Sequence, residues 1–186
     1  MNKVLSPQEL SARIRSGEIL IKNYKETQQA GFIKKALSML LFREHGLENY
    51  QPLYISHRAL LKLGPNDFKS LAEHLRVERS RVFPAISGKI RKLGHDYGDF
   101  VVEHVVDVST MVSYLMEGSL EDVEERVIKL GTTCPMCIVS VEEDRLLKKF
   151  NRDNIESPWS EYDKVGIQRT MIRDYCGPLR EMSRAK

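Results

Sequence analysis

The sequence TTCPMC, residues 132–137, holds two cysteines at a spacing that supports chemistry. Cys134 and Cys137 are separated by two residues, so one thiolate can attack a mixed disulfide formed on the other. A helix that begins at Pro135 would direct its positive end at Cys134 and lower the pKa of that thiol. The same spacing supplies two ligands for a zinc ion or an iron–sulfur cluster. Three interpretations of the motif stay open: a redox site, a metal site and a structural pair of reduced thiols.

A metal at this motif would need further ligands from distant parts of the chain. Cys176 is the third and last cysteine of the 186 residues and is the candidate third ligand. A histidine, His95 or His104, would complete the set. The predicted metal ligands are therefore Cys134, Cys137 and Cys176, and the cofactor is left open between zinc, an iron–sulfur cluster and none.

Charge is unevenly distributed along the chain, although the net charge is only +3. Residues 76–92 contain six arginines and lysines against one glutamate, whereas residues 117–144 contain eight acids against two bases. Such asymmetry favours one pole that attracts an anionic partner and another that repels it. The alternative is that both segments are solvated helix faces.

The basic segment also contains a pattern of small and apolar residues that would let two helices pack across a short turn. The residues are Leu71, Ala72, Leu75, Val77, Val82, Ala85 and Ile86. On these positions, residues 66–94 resemble helix-turn-helix DNA-binding proteins. The segment departs from that pattern at the turn, where Arg76 replaces the usual glycine, and in the second helix, which contains Pro84 and Gly88.

The resemblance implies that exposed cations of this segment bind DNA. Their guanidinium and ammonium groups are donors for phosphates, and an arginine can also bind the edge of a guanine. The predicted nucleic-acid-binding residues are Arg79, Arg81, Lys89, Arg91 and Lys92. The alternative is a basic corner of a helical domain.

The rest of the sequence reads mainly as helices. Ser6, Pro7 and Glu9 form a capping-box pattern that starts a helix, which Gly17 is expected to end. Residues 18–25 alternate between apolar and polar for a few positions and indicate one short strand. Further helices are predicted at residues 28–45, 53–63, 66–75, 99–117, 119–130, 135–150 and 157–175.

The predicted fold is therefore mainly α: a multi-helix single domain with a helix-turn-helix-like segment and at most one short strand or hairpin. Residues 1–150 form the helical core in this prediction, with the helix at 99–117 as its spine. Residues 151–186 form a C-terminal helical segment that packs on the core. The valines of the spine, from Val101 to Val112, are expected in the core, with a homodimer seam as the alternative.

Composition and hydropathy predict where in the cell the protein lies. The longest apolar run, residues 100–116, is interrupted by Glu103, His104 and Asp107, so it cannot cross a bilayer. The N-terminus lacks the apolar segment of a signal peptide, which predicts a cytoplasmic protein with reduced cysteines. The leading hypothesis is a DNA-binding regulatory protein, with a metal or redox site at the cysteines left open. The alternatives are a helical thiol-redox or metal-binding enzyme, and a protein-interaction module.

Overall fold

The computed structural model describes residues 5–42, 47–77, 82–174 and 176–184. Its central element is a four-stranded mixed sheet in the order β2-β3-β1-β4. The strands are β1 (Leu53–Ser56), β2 (Phe100–His104), β3 (Met136–Ser140) and β4 (Arg169–Arg173). β1 and β3 are parallel, β2 pairs antiparallel with β3, and β4 pairs antiparallel with β1. The prediction of a mainly α fold is therefore wrong.

Helices make up most of the remaining described chain. The first five are α1 (Pro7–Thr27), α2 (Ala30–Phe42), α3 (His57–Leu63), α4 (Pro65–Val77) and α5 (Val82–Lys92). The last five are α6 (Val108–Met116), α7 (Val123–Thr133), α8 (Val141–Leu147), α9 (Ser160–Lys164) and α10 (Gly177–Arg184). Two short 3-10 turns lie at Leu47–Asn49 and Tyr97–Asp99.

Several predicted helices are confirmed, and the start of α1 is explained by its cap. The Ser6 hydroxyl accepts from the Glu9 backbone N–H, while the Glu9 carboxylate accepts from the Ser6 N–H, so α1 begins with the predicted capping box. α2 and α4 lie within about two residues of their predicted bounds over the described residues. The two helices of the basic segment, α4 and α5, are both present.

The predicted strand at residues 18–25 is wrong, because α1 continues through Gly17 to Thr27. Gly17 is buried where α1 meets α2, and a Cβ at this position would lie 3.4 Å from Leu37 Cδ1. The glycine therefore allows close packing of two helices instead of ending the first one.

The predicted spine helix at residues 99–117 is also wrong. Residues Phe100–His104 form β2, the chain bends at Val105 and Val106, and only Val108–Met116 are helical. Valine is β-branched and packs well on a sheet, and this propensity prevails in the first half of the segment. Three residues of the predicted apolar stripe, Val105, Val112 and Leu115, are at most 2% exposed, whereas Val101 and Val108 are half-buried.

Three more predicted helices contain strands. Residues 53–63 begin with β1 and become helical only at α3. Residues 135–150 begin with β3, whose five residues are all buried, before α8 starts. Residues 157–175 contain the short α9 and then β4, and residue 175 lies outside the described residues. β3 is buried on both faces and so lacks the polar alternation that marks a strand in a sequence, whereas β4 is exposed at Thr170 and Met171.

Side chains alternate across the sheet and build a core on each face. Leu53, Ile55, Met136 and Ile138 contact the apolar sides of α3, α4 and α5 on one face. Tyr54, Val101, Cys137 and Val139 lie on the other face, with Leu147, Tyr162 and Ile167. A third core lies among α1, α2, α6, α7 and α10. The sheet thus separates the helices that carry the basic segment from the chain around α9.

Candidate functional site

The helices α4 and α5 of the basic segment pack against each other and against the sheet. Leu71 and Leu75 of α4 and Val82, Ile86 and Ile90 of α5 are all at most 1% exposed and belong to one core. Val82, the first residue of α5, donates its backbone N–H to the Asn49 Oδ1 atom at 3.1 Å. This bond satisfies one of the backbone donors that a helix N-terminus leaves without a partner. The position of α5 is therefore set by apolar contacts and by its first residue.

The two unusual residues of the second helix fit this geometry. Pro84 is the third residue of α5 and is exposed. A backbone N–H is not needed for the helical ladder in the first turn, so proline is tolerated there. Gly88 has open space around its Cα, since a Cβ built there meets no atom within 4 Å.

The C-terminal half of α5 carries three cations, which we call the basic face: Lys89, Arg91 and Lys92. Arg91 and Lys92 are exposed, and Lys89 is half-buried. No carboxylate among the described residues lies within 4 Å of these three side chains. The Arg91 guanidinium carbon lies 5.5 Å from the centre of the Tyr97 ring, a cation–π distance. The other two predicted DNA-binding residues, Arg79 and Arg81, lie outside the described residues.

The three cysteines are separated by the fold. Cys134 is the C-cap residue of α7 and lies in the core of the helices, whereas Cys137 is in β3 and lies in the core on one face of the sheet. Cys176 follows β4, and its thiol contacts the Asp174 carboxylate. All three are free and buried. Within the described residues, no group of three or more His, Cys, Asp or Glu side chains is placed to hold a metal ion.

The thiols are also poor nucleophiles. Burial raises the pKa of Cys134 to about 11, and burial together with the Asp174 carboxylate raises the pKa of Cys176 to about 11. The pKa of Cys137 is raised well above the usual range, first by burial and then by the charges of Glu103 and Glu143. The expected helix start at Pro135 is absent, because α7 ends at this motif and β3 follows. Cys134 therefore lacks the helix N-terminus that would lower its pKa.

A cleft lies beside β4 on the face of the sheet opposite the basic segment's core. Its volume is about 650 Å³, within the range typical of small-molecule sites. We call it the aromatic cleft, and its lining residues are Tyr54, His57, Trp159, Asp163, Gly166, Ile167, Gln168 and Arg169. They come from β1, the start of α3, the chain around α9 and the start of β4.

Arg169 is the fixed cation of the aromatic cleft. Its guanidinium carbon lies 4.0 Å from the centre of the Trp159 ring. Its Nη1 atom donates to Asp163 Oδ1 at 2.6 Å and to the Ile167 carbonyl oxygen at 3.3 Å. The side chain is 19% exposed. Stacking and the ion pair together hold the guanidinium plane in one orientation while part of it remains accessible.

Two further polar groups line the aromatic cleft. The Tyr54 ring meets Trp159 edge to face, with centroids 4.9 Å apart. Burial raises the pKa of Tyr54, and the charge of Arg169, which lines the same cleft, opposes that shift. His57 is exposed and its Nε2 atom lies 3.2 Å from Thr170 Oγ1. A phenol, an imidazole and a guanidinium therefore converge on one aromatic wall.

A buried polar network supports the aromatic cleft from below. Trp159 contacts the Tyr162 ring edge to face at 5.1 Å, and the Tyr162 hydroxyl donates to the Glu103 carboxylate. Arg152 Nη1 donates to Glu103 Oε2 at 2.5 Å, and its Nη2 donates to Asp107 Oδ1 at 2.9 Å. Burial raises the pKa of Glu103, while Arg152 and Tyr162 oppose that shift. The network compensates the buried carboxylate.

Sequence reasoning missed every residue of the aromatic cleft. Tyr54 and Arg169 are more than a hundred residues apart, and they become neighbours only because β4 pairs with β1. The one available signal was Trp159, the single tryptophan of the chain, which lies in a polar stretch that reads as a linker.

Comparison of the chain with protein-family models, with curated proteins and with solved structures finds no match. Within the described residues, every helix is too short or too polar to span a bilayer.

Proposed function

We propose that this chain is a DNA-binding regulatory protein that binds nucleic acid through the helix-turn-helix-like pair α4 and α5. The observation that carries the proposal is the basic face. Three cations occupy the C-terminal half of α5, and no carboxylate of the described residues pairs with them. Cations without a carboxylate partner among the described residues remain available for phosphates.

The location of the basic face on α5 defines the kind of contact. In helix-turn-helix proteins, the N-terminal residues of the second helix bind base edges. Lys89, Arg91 and Lys92 are at the other end of α5, so they contact phosphates and contribute affinity that is independent of sequence. In the first turn of α5, Pro84 is exposed, whereas Phe83 and Ala85 are half-buried and pack against the core.

The acidic residues of the chain favour one orientation on DNA. Glu117, Glu121, Asp122 and Glu125 are exposed at the end of α6 and at the start of α7. These carboxylates repel phosphates, so the surface around α7 should point away from the duplex. Basic side chains of α5 and acidic side chains near α7 are thus both exposed, as the uneven charge of the sequence predicts.

Binding of a fluorescent duplex, measured by anisotropy, tests the proposal. Each lost phosphate contact reduces the slope of log K against log salt by about 0.9. The double variant Arg91→Ala/Lys92→Ala should therefore bind about 60-fold more weakly at 0.1 M salt, with a slope smaller by about 1.8.

The matched control is Arg15→Ala/Lys22→Ala, which removes two exposed cations from α1. This variant has the same net charge as the first and should bind DNA nearly as the parent does. Equal weakening by both variants would mean that only net charge matters. Unchanged affinity of the first variant would refute the proposal, and a thermal melt of each variant confirms that both are folded.

A further inference from the structure

The aromatic cleft has binding groups that the protein itself does not use. Only the Nη1 atom of Arg169 has a hydrogen-bond partner among the described residues, which leaves its Nη2 and Nε atoms for a ligand. The Tyr54 hydroxyl likewise makes no hydrogen bond within the described part of the chain, although the tyrosine is half-buried. Polar groups held without a partner in a concave site are typical of a binding site.

We propose that the aromatic cleft binds a small anion that joins an aromatic ring to a phosphate, of the nucleoside monophosphate class. In this complex Arg169 binds the phosphate, together with the Tyr54 hydroxyl and His57. The aromatic ring packs against the wall that Tyr54 and Trp159 form.

The orientation of Arg169 supports an anion as the ligand. A guanidinium presents its donors in a planar fork that matches two oxygens of a phosphate. Asp163 binds one side of this fork and Trp159 covers its face, so the remaining donors already have a fixed direction. Little side-chain entropy is then lost when the anion binds. His57 also lines the cleft, and its ring can add a second donor.

The walls of the aromatic cleft support an aromatic ring as the second part of the ligand. Tyr54 and Trp159 are rigid, because Trp159 also packs edge to face on Tyr162 at 5.1 Å. Aromatic rings favour such edge or offset contacts with another ring. Gly166 lines the same space with a φ of +70° and without a side chain, so the cleft stays open at the turn before β4. The volume of about 650 Å³ accommodates a ring and a phosphate together.

Trp159 gives a direct readout, because it is the only tryptophan of the protein. Titration with AMP at 0.1 M salt should change the tryptophan fluorescence saturably, with half-saturation below about 1 mM. Adenosine and inorganic phosphate, tested separately, should each bind at least about tenfold more weakly, since each lacks half of the proposed ligand. Phenyl phosphate should bind, because it keeps both the ring and the phosphate.

The variant Arg169→Gln should bind AMP at least about tenfold more weakly, and the control Arg145→Gln on the exposed side of α8 should bind as the parent does. Isothermal calorimetry of both variants gives the affinity without relying on the tryptophan, and a thermal melt shows whether they fold. Should Arg169→Gln fail to fold, Tyr54→Phe provides the same comparison through the hydroxyl alone. The proposal is overturned if AMP changes neither the tryptophan fluorescence nor the calorimetric heat up to about 10 mM. This concentration is about ten times the highest expected half-saturation. The proposal is also overturned if adenosine or phosphate alone binds as tightly as AMP.

Discussion

The basic face and the aromatic cleft both present cations, but they hold them differently. Lys89, Arg91 and Lys92 extend from α5 without a carboxylate partner among the described residues. Arg169 is held by Asp163 and stacked on Trp159. Surface cations without a carboxylate partner attract a polyanion over distance, whereas a guanidinium held by an ion pair selects one geometry at contact. The two proposals therefore assign different binding modes to the two regions.

The supports of the two regions differ as well. α5 lies on an apolar core that includes Ile86 and the sheet residues Ile55 and Ile138. The aromatic cleft lies above the polar network of Tyr162, Glu103 and Arg152. Apolar contacts tolerate small shifts, whereas a buried ion pair is destabilising once one partner is lost.

The largest expected effect comes from the network below the aromatic cleft. Replacement of Arg152 by alanine leaves Glu103 buried without its cation, and we expect a loss of about 4 kcal/mol in the free energy of unfolding. Urea denaturation measures this loss. The control Arg145→Ala removes an exposed arginine and should change stability by less than about 0.5 kcal/mol. Equal stability of the two variants would mean that the network does not support the fold.

Truncation of the apolar core below α5 should reduce the free energy of unfolding slightly less than loss of Arg152 does. Ile86→Ala removes a fully buried side chain of α5, and we expect a loss of about 3 kcal/mol in the free energy of unfolding. Leu61→Ala is the matched control, since Leu61 is 79% exposed on α3 and its truncation should cost little. DNA affinity of Ile86→Ala, measured where the variant is still folded, should fall as well, because α5 loses its fixed position. A folded variant with the parent's stability would contradict the described core.

The sequence predicted the helices that begin at a clear cap and failed where strands are short and buried. α1 was located by Ser6 and Glu9, and α2 by a clean helical period. β3 has five buried residues, with alternate side chains in two different cores, so it shows no polar alternation. β1 runs directly into α3, and the two were therefore predicted as one helix.

One overlooked signal would have corrected part of the error. Ser56 and Ser140 each follow a short apolar run and cap the helix that comes next. The Ser140 hydroxyl accepts from the Glu143 N–H, and the Glu143 carboxylate accepts from both the Ser140 N–H and the Ser56 hydroxyl. The spacing of Ser140 and Glu143 is the capping-box pattern, which places the start of α8 after the strand. No comparable local pattern predicts the aromatic cleft, because strand pairing assembles it.

Thiol reactivity reports on the cleft side of the sheet alone. Cys137 lies on that side, and α4 and α5 contain no cysteine. With a pKa of about 11, Cys134 and Cys176 are each ionised at about one part in a thousand at pH 8, against about one in ten for a thiol of pKa 9. Alkylation of the native protein by iodoacetamide at pH 8 should therefore be about a hundredfold slower than in denaturant. Mass spectrometry after timed quenching gives the rate at each cysteine.

The same raised pKa values make the stability of the fold depend on pH. Because both folded-state pKa values lie above the value of about 9 for an unperturbed thiol, the native state keeps protons that the unfolded state releases. The stability linked to these thiols is present below pH 9 and is lost as the pH rises towards 11. A thiol that reacts at the denatured rate in the native protein, above all Cys137, would show that the region below the aromatic cleft is open to reagents.

The smallest expected effect, and the one that compares the two regions directly, is the response to salt. Three phosphate contacts from the basic face give a slope of about −2.7, so duplex affinity should fall about 40-fold between 50 and 200 mM salt. AMP has no condensed counterion layer to release, and Arg169 is only 19% exposed, so its affinity should fall less than about threefold over the same range. Anisotropy for the duplex and Trp159 fluorescence for AMP are measured in the same buffers. In Arg91→Ala/Lys92→Ala the duplex response should shrink to about fourfold while the AMP response stays unchanged. If AMP affinity falls as steeply as duplex affinity, the cleft guanidinium is as solvated as the basic face, and the distinction between fixed and free cations fails.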